Sequence, residues 1–179
     1  MMLLTVALLL AWAPQEKTRY VLEVPQGDTV VFEFPKDWTI QKSQTRPGLP
    51  PTLKLTPPDP SAMSLQITMI PDKDGKLATL DALKKTLERS TRQFLPGAVE
   101  KTFTVVDLES KAGRGCHGTI TDASLVDAKA VPEGQFLKMT SGMFGVGKNV
   151  ATFTILANAG GEALQKQALD VIAGAALGK

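Results

Sequence analysis

Apolar and polar residues alternate along several short stretches of the chain, a period of two that indicates β-strands with one buried face. In residues 29–34 the positions Val30, Phe32 and Phe34 fall on one face. A similar run at 20–24 precedes it, and the Pro-Gln-Gly-Asp segment between them has the residue types of a turn. These two runs predict a β-hairpin.

The same alternation predicts further strands. Trp38 begins a short third strand and is expected to anchor the core. Residues 53–55 form a short edge strand inside a segment, 47–60, that holds six of the twelve prolines and is otherwise a stiff loop. The remaining predicted strands lie at 64–70, 99–108, 115–123, 135–144 and 150–156. The last two are expected to pair as a second hairpin.

Two segments follow the helical period instead. Residues 79–94 predict a helix with Thr79 as its N-cap and a Pro-Gly pair after its end. Its apolar positions are Leu80, Leu83, Leu87 and Phe94. A second, alanine-rich amphipathic helix is predicted at 160–176, with Gly178 ending it.

Strands followed by a helix, four more strands and a second helix indicate an α+β fold. We expect a mainly antiparallel sheet of about six to eight strands with two main helices packed on it. The chain shows no internal repeat, and its length suits a single domain at 14–179 once the N-terminal segment is set aside.

The opening hairpin runs into Phe34-Pro35-Lys36-Asp37-Trp38, and a closing helix follows Asn158. With the mid-chain helix and the strands after it, this order resembles the Mog1/PsbP-like fold over roughly residues 19–177. That resemblance implies an antiparallel sheet flanked by helices. Members include a photosystem subunit, a nuclear-transport GTPase-binding protein and bacterial envelope proteins, mostly noncatalytic, so the resemblance favours a binding role. It carries over no site residues.

The first thirteen residues resemble a secretory signal peptide. Twelve of them are apolar and none is charged, and Ala11-Trp12-Ala13 fits the small-x-small cleavage pattern. The run is too short to span a bilayer, which needs about 20 residues. We therefore expect cleavage after residue 13 and a bacterial periplasmic or secreted protein with no membrane span. The alternative is a buried N-terminal strand or helix.

Composition excludes several function classes. With 43% apolar residues, 21% charged residues and a net charge of +2, the chain lacks the basic excess of a nucleic-acid binder. One cysteine cannot form an internal disulfide, and one histidine cannot build a multi-histidine metal site. We expect no metal and no cofactor.

One glycine-rich segment holds the main candidate chemistry. Residues 113–118 match G-x-G-x-x-G but lead into a strand, so they indicate a glycine-rich turn rather than a dinucleotide site. Within it, Cys116 and His117 are the only nucleophile-plus-base pair and the weak catalytic candidates. Adjacent strand residues point to opposite faces, so we expect Cys116 to be a buried thiol and His117 a surface or partly satisfied histidine.

Met143 and Phe144 lie in a glycine-rich hairpin segment. If exposed they form a contact patch, and if buried they belong to the core. The sequence thus favours a noncatalytic binding or interaction module whose partner is an unknown envelope protein or a small ligand. The alternatives are an exported enzyme that uses Cys116 or His117, and a carrier of a small apolar ligand in a groove under the helix at 79–94.

Overall fold

All strand pairing described in the computed structural model, which covers residues 16–43, 49–110 and 113–178, is antiparallel. The expected signal segment, 1–13, lies outside these residues. The strands are β1 (Lys17–Leu22), β2 (Val30–Pro35), β3 (Thr39–Ser43), β4 (Thr52–Thr56), β5 (Met63–Pro71), β6 (Val106–Leu108), β7 (Gly113–Thr121), β8 (Lys138–Val146), β9 (Asn149–Ala157) and β10 (Ala176–Leu177). The helices are α1 (Leu80–Thr91), a 3-10 helix (Arg92–Gly97) and α2 (Glu162–Ala173).

The strands form a three-stranded sheet, in the order β1-β2-β10, and a seven-stranded sheet, in the order β3-β4-β5-β9-β8-β7-β6. The predicted α+β class with a mainly antiparallel sheet is confirmed. So are both hairpins, β1–β2 and β8–β9. The second of these turns over two residues, and Gly147 there has a φ of 58°, a conformation that favours glycine.

Two predicted strands differ from the structure. The run at 53–55 is not an edge strand, because β4 lies between β3 and β5. Of the run at 99–108, only Val106–Leu108 pairs as a strand, β6. The chain before β6 leaves the sheet, and there the Glu100 carboxylate accepts the backbone N–H of Thr121. Alternation alone does not distinguish a paired strand from an extended chain that packs its apolar residues on a helix.

The predicted C-terminal helix is also too long. Helix α2 ends at Ala173, and the last residues pair with β2 as β10. Gly178, expected to end the helix, instead donates its backbone N–H to the carbonyl of Thr29. The carbonyls of Asp170 and Ile172 accept the N–H groups that close the helix.

Helix α1 begins as predicted, since the Thr79 hydroxyl accepts the Ala82 N–H at 3.2 Å. It ends three residues early and tightens into the 3-10 helix, which contains Pro96. Phe94 was expected on the buried face of the helix but is 44% exposed. The change from 3.6 to about 3 residues per turn breaks the apolar spacing that began at Leu80.

Two apolar clusters hold the layers together. The larger lies between the two sheets and α2 and includes Phe32, Phe34 and Phe153. Trp38 belongs to it and is 5% exposed, as its expected role in the core requires. The smaller cluster lies on the other face of the seven-stranded sheet, where Leu83 and Leu87 of α1 pack on β7, β8 and β9.

Candidate functional site

The α1 side of the seven-stranded sheet carries a row of apolar side chains at one end. Ile120 of β7, Met139 of β8 and Leu156 of β9 are partners in register across neighbouring strands. Side chains directly opposite in a sheet share a face and lie within contact distance. The three therefore form one apolar row near the 3-10 helix.

A cavity of about 410 Å³ lies between this row and the 3-10 helix. We call it the apolar groove, and its main apolar lining residues are Phe94, Ile120, Phe136, Met139 and Leu156. Helix α1 does not cover it, because Leu83 and Leu87 pack farther along the sheet. The groove exists because the apolar stripe of α1 ends before the sheet does.

A second cavity, of about 300 Å³, continues along the same helix. We call it the hydroxyl cavity, because Thr86, Ser141, Thr152 and Thr154 line it. The two cavities share Gln93 and Phe94 as lining residues. Ser141 and Thr154 are partners in register one step along the sheet from Met139 and Leu156. Apolar and hydroxyl-bearing linings thus follow one another along a single face.

Asp122 is the charged residue that lines the apolar groove. Its Oδ1 accepts hydrogen bonds from the Ser124 hydroxyl at 2.7 Å and the Ser124 backbone N–H at 2.9 Å. These bonds stabilise the carboxylate and hold the pKa of Asp122 below its usual value. Asp122 is therefore ionised at neutral pH.

Cys116 lies on the α1 side of β7, fully buried beneath the helix in the smaller cluster. Burial raises the pKa of the Cys116 thiol to about 11, although the nearby Lys84 ammonium acts in the opposite direction. A thiol with this pKa is protonated at neutral pH and is a poor nucleophile.

His117 points to the opposite face. Its partner in register is Gly142, where an added Cβ would meet the Phe153 ring of the larger cluster. The imidazole is half-buried, and its Nδ1 has no hydrogen-bond partner among the described residues. Burial lowers the pKa of His117. The structure therefore does not bring Cys116 and His117 together as a nucleophile and base.

Met143 and Phe144 are both buried, at 4% and 0% exposure. They lie in different clusters, Met143 beneath α1 and Phe144 between the sheets. They therefore pack in the interior and do not form an exposed contact patch.

The G-x-G-x-x-G segment lies within β7 and not in a turn, which corrects the expectation from sequence. Its glycines serve close packing rather than positive φ. At Gly118 an added Cβ would lie 2.6 Å from the Phe103 ring, which covers the strand at that point. The segment therefore has no helix N-terminus to receive a dinucleotide phosphate, which a dinucleotide site requires.

Within 16–43, 49–110 and 113–178, no group of three or more His, Cys, Asp or Glu side chains could hold a metal ion. No helix in the same ranges is long and apolar enough to cross a membrane.

A groove under the helix at 79–94 is expected from the sequence, but most of the residues that line it are not. The sequence predicts Phe94 on the buried face of the helix and Phe136 and Leu137 in a strand. In the structure Phe94 is 44% exposed and the strand begins only at Lys138. The usable signal was in β9, where Thr152, Thr154 and Leu156 alternate with buried residues. Three such residues on the non-core face indicate a surface that no other element fully covers.

No family model matches the chain, and no curated protein does. Solved structures do. Cyanobacterial PsbP (CyanoP) from Synechocystis is 11% identical, with 94% of this chain and 96% of that chain covered and a TM-score of 0.54. This likeness confirms the predicted Mog1/PsbP-like fold, and at this identity it shows the fold alone.

Two further structures have lower TM-scores. LpqN of Mycobacterium tuberculosis, described as involved in cell envelope biogenesis, is 14% identical, with 92% of this chain and 91% of that chain covered and a TM-score of 0.47. A structure from Bacteroides thetaiotaomicron is 16% identical, with 87% of this chain covered and a TM-score of 0.47. This chain spans 50% of the length of that protein.

Proposed function

We propose that this protein is a noncatalytic binding module of the bacterial cell envelope that holds a small apolar ligand in the apolar groove. One observation carries the proposal: Met139 and Leu156 of the apolar row are only partly buried and line the groove together with Phe94, which is 44% exposed, while Ile120 forms the buried end of the row. Apolar side chains left in contact with water cost about 25 cal/mol for each Å² that burial would remove. A bound apolar ligand would recover that free energy.

The size and lining of the groove support a small ligand. A volume of about 410 Å³ lies in the range of small-molecule sites, roughly 300–1,000 Å³, which are mostly apolar with a few polar groups. Together with the hydroxyl cavity beside it, the groove provides an elongated site on one face of the sheet.

The enzyme alternative has less support. Its two candidate residues, Cys116 and His117, point to opposite faces, and the thiol is buried with a raised pKa. Neither residue is among those that line the apolar groove or the hydroxyl cavity. The proposed function therefore assigns no chemical step to either of them.

We further propose that the chain is exported, with residues 1–13 as a cleaved signal peptide and 14–179 as the single mature domain. The uncharged apolar run followed by Ala11-Trp12-Ala13 supports this. Expression in a secreting bacterial host followed by mass measurement tests it. Loss of the first thirteen residues is expected, and a periplasmic protein that keeps residue 1 would contradict it.

Titration of the exported protein with 1-aminoanthracene, an uncharged apolar dye, tests the groove. Leu156→Gln places a polar amide in the apolar row and is expected to weaken dye binding about tenfold. Leu177→Gln is the matched control, because Leu177 has a similar size, is 48% exposed on β10 and lines neither cavity.

Equal dye affinity of the Leu156→Gln and Leu177→Gln proteins would contradict the proposed site. Binding is also expected to survive Cys116→Ala and His117→Ala, because neither side chain lines the groove. If His117→Ala abolished binding in a folded protein, the site would lie on the other face of the sheet.

A further inference from the structure

Four hydroxyls in the hydroxyl cavity have no hydrogen-bond partner among the described residues: those of Thr86, Ser141, Thr152 and Thr154. Two neighbouring hydroxyls that also line this cavity are satisfied internally. Ser90 and Thr91 both donate to the Leu87 carbonyl, each at 2.9 Å. The unpartnered hydroxyls belong to residues of three different elements, α1, β8 and β9, that line one cavity.

Each hydroxyl offers one donor and two acceptor positions, so the four together match a polar group that both donates and accepts. A purely apolar ligand that filled this cavity would leave them without partners and would bind weakly, since an unsatisfied buried hydroxyl costs about as much as a lost hydrogen bond. Leu87, Met143 and Phe153 also line this cavity, so the group that it suits has apolar surface as well as uncharged polar atoms that pair with the hydroxyls.

The charges of the lining exclude an anionic group at this end. No lysine or arginine is among the described residues that line the two cavities, so a carboxylate or phosphate would find no cation there. The one charged lining residue is the ionised Asp122, in the apolar groove. The Asp122 carboxylate would repel an anionic group that enters the apolar groove.

Resting on the proposed function, we infer that the ligand is an uncharged amphiphile that lies along both cavities. Its apolar body occupies the apolar groove, between Phe94 and the Ile120–Met139–Leu156 row. Its uncharged polar end occupies the hydroxyl cavity and exchanges hydrogen bonds with Thr152, Thr154 and their neighbours. The shared walls at Gln93 and Phe94 allow one molecule to reach both.

Competition against 1-aminoanthracene at pH 8 tests the charge preference. The two competitors are 1-monolaurin, with an uncharged glycerol end, and laurate, with the same chain length and a carboxylate. Monolaurin is expected to compete at least about tenfold more strongly, because laurate finds no cation in the lining. Laurate that competes as well as monolaurin would overturn the inference.

A double variant tests the hydroxyls. Thr152→Val/Thr154→Val removes two of them and keeps the branched shape that suits a strand. The affinity for monolaurin is expected to fall about tenfold and the affinity for the dye to fall less, because the dye has no glycerol end to pair with the hydroxyls. Thr56→Val is the matched control, because Thr56 lies in β4 and lines neither cavity.

An unchanged monolaurin affinity in the folded double variant would overturn the inference. If the double variant does not fold, Thr86→Val on the partly exposed side of α1 supplies the same comparison. Dye binding without any preference for monolaurin would overturn this inference and leave the proposed function standing. Absence of dye binding as well as monolaurin binding would overturn both.

Discussion

The two faces of the seven-stranded sheet are built from the same strands but are closed to different degrees. On one face the three-stranded sheet and α2 bury the side chains of β9 that include Phe153 and Ile155. On the other face α1 covers one end only, and Thr152, Thr154 and Leu156 of the same strand line open cavities. Alternate residues of β9 therefore belong to the core, and the residues between them line the candidate site.

Hydroxyl groups show the same difference. On the closed face the Thr119 and Thr140 hydroxyls lie 2.7 Å apart, and Gln165 of α2 donates to Thr140 at 2.9 Å. On the open face Thr152 and Thr154 have no partner among the described residues. Thr68, the partner of Thr152 in register on this open face, is paired, since its hydroxyl lies 2.9 Å from that of Thr52, so the unpartnered hydroxyls are those that line the hydroxyl cavity.

The largest expected effect is a loss of unfolding free energy that differs between the two faces. Phe153→Ala removes a ring that is 2% exposed and leaves a cavity between the sheets, so unfolding free energy should fall by about 3–5 kcal/mol. Leu156→Ala, three residues along on the open face, should cost only about 1 kcal/mol, because no enclosed cavity forms. Urea unfolding of the two proteins measures the difference.

Similar losses of unfolding free energy for Phe153→Ala and Leu156→Ala would mean that the α1 side of the sheet is packed as closely as the other side. If the purified protein carries a ligand in the groove, Leu156→Ala would lower the unfolding free energy by more than this. Extraction of the protein with organic solvent before unfolding is the control for this.

The covered end of the open face can be probed through Cys116. With a pKa of about 11, the thiolate fraction at pH 8 is about a hundredfold smaller than for an ordinary thiol. Labelling of the native protein by a thiol reagent should therefore be at least about a hundredfold slower than labelling of the unfolded chain. A native rate within about threefold of the unfolded one would show that α1 does not cover Cys116.

The smallest expected effect is a pH dependence that comes from the closed face. Burial lowers the pKa of His117 below 6.5 in the folded protein, so the unfolded chain binds more protons in the window beneath 6.5. The stability contribution of neutral His117 is present above pH 6.5 and is lost as pH falls through the folded-state pKa. Unfolding free energy should thus decrease between pH 7.5 and 5.5.

His117→Leu is the control, because leucine does not titrate. Its unfolding free energy should change less over the same pH range than that of the unsubstituted protein. An equal change in the two proteins would assign the pH dependence to other groups, and the buried, unpartnered Nδ1 would then have no measurable consequence.

The secondary structure and the side-chain faces followed from local pattern. Alternation in the two hairpins, the Thr79 cap and the divergence of Cys116 and His117 depend on residues close together in sequence, and the α+β class follows from their order. Predictions from these patterns were wrong where contacts between distant segments determine the secondary structure. The extended chain before β6 packs on α1 instead of pairing, and the residues after α2 pair with β2 although alanines continue the helical pattern.

The sequence alone determined that neighbouring residues of a strand point to opposite faces, because that periodicity is a property of the extended backbone itself. Only the tertiary structure decided that β9 lies between β5 and β8, which brings Leu156 beside Met139 and Ile120. It also decided that α1 ends before it reaches this row, since how far a helix extends over a sheet depends on packing between segments that are distant in sequence. The groove and its unpartnered hydroxyls are consequences of that relation, which no local pattern records.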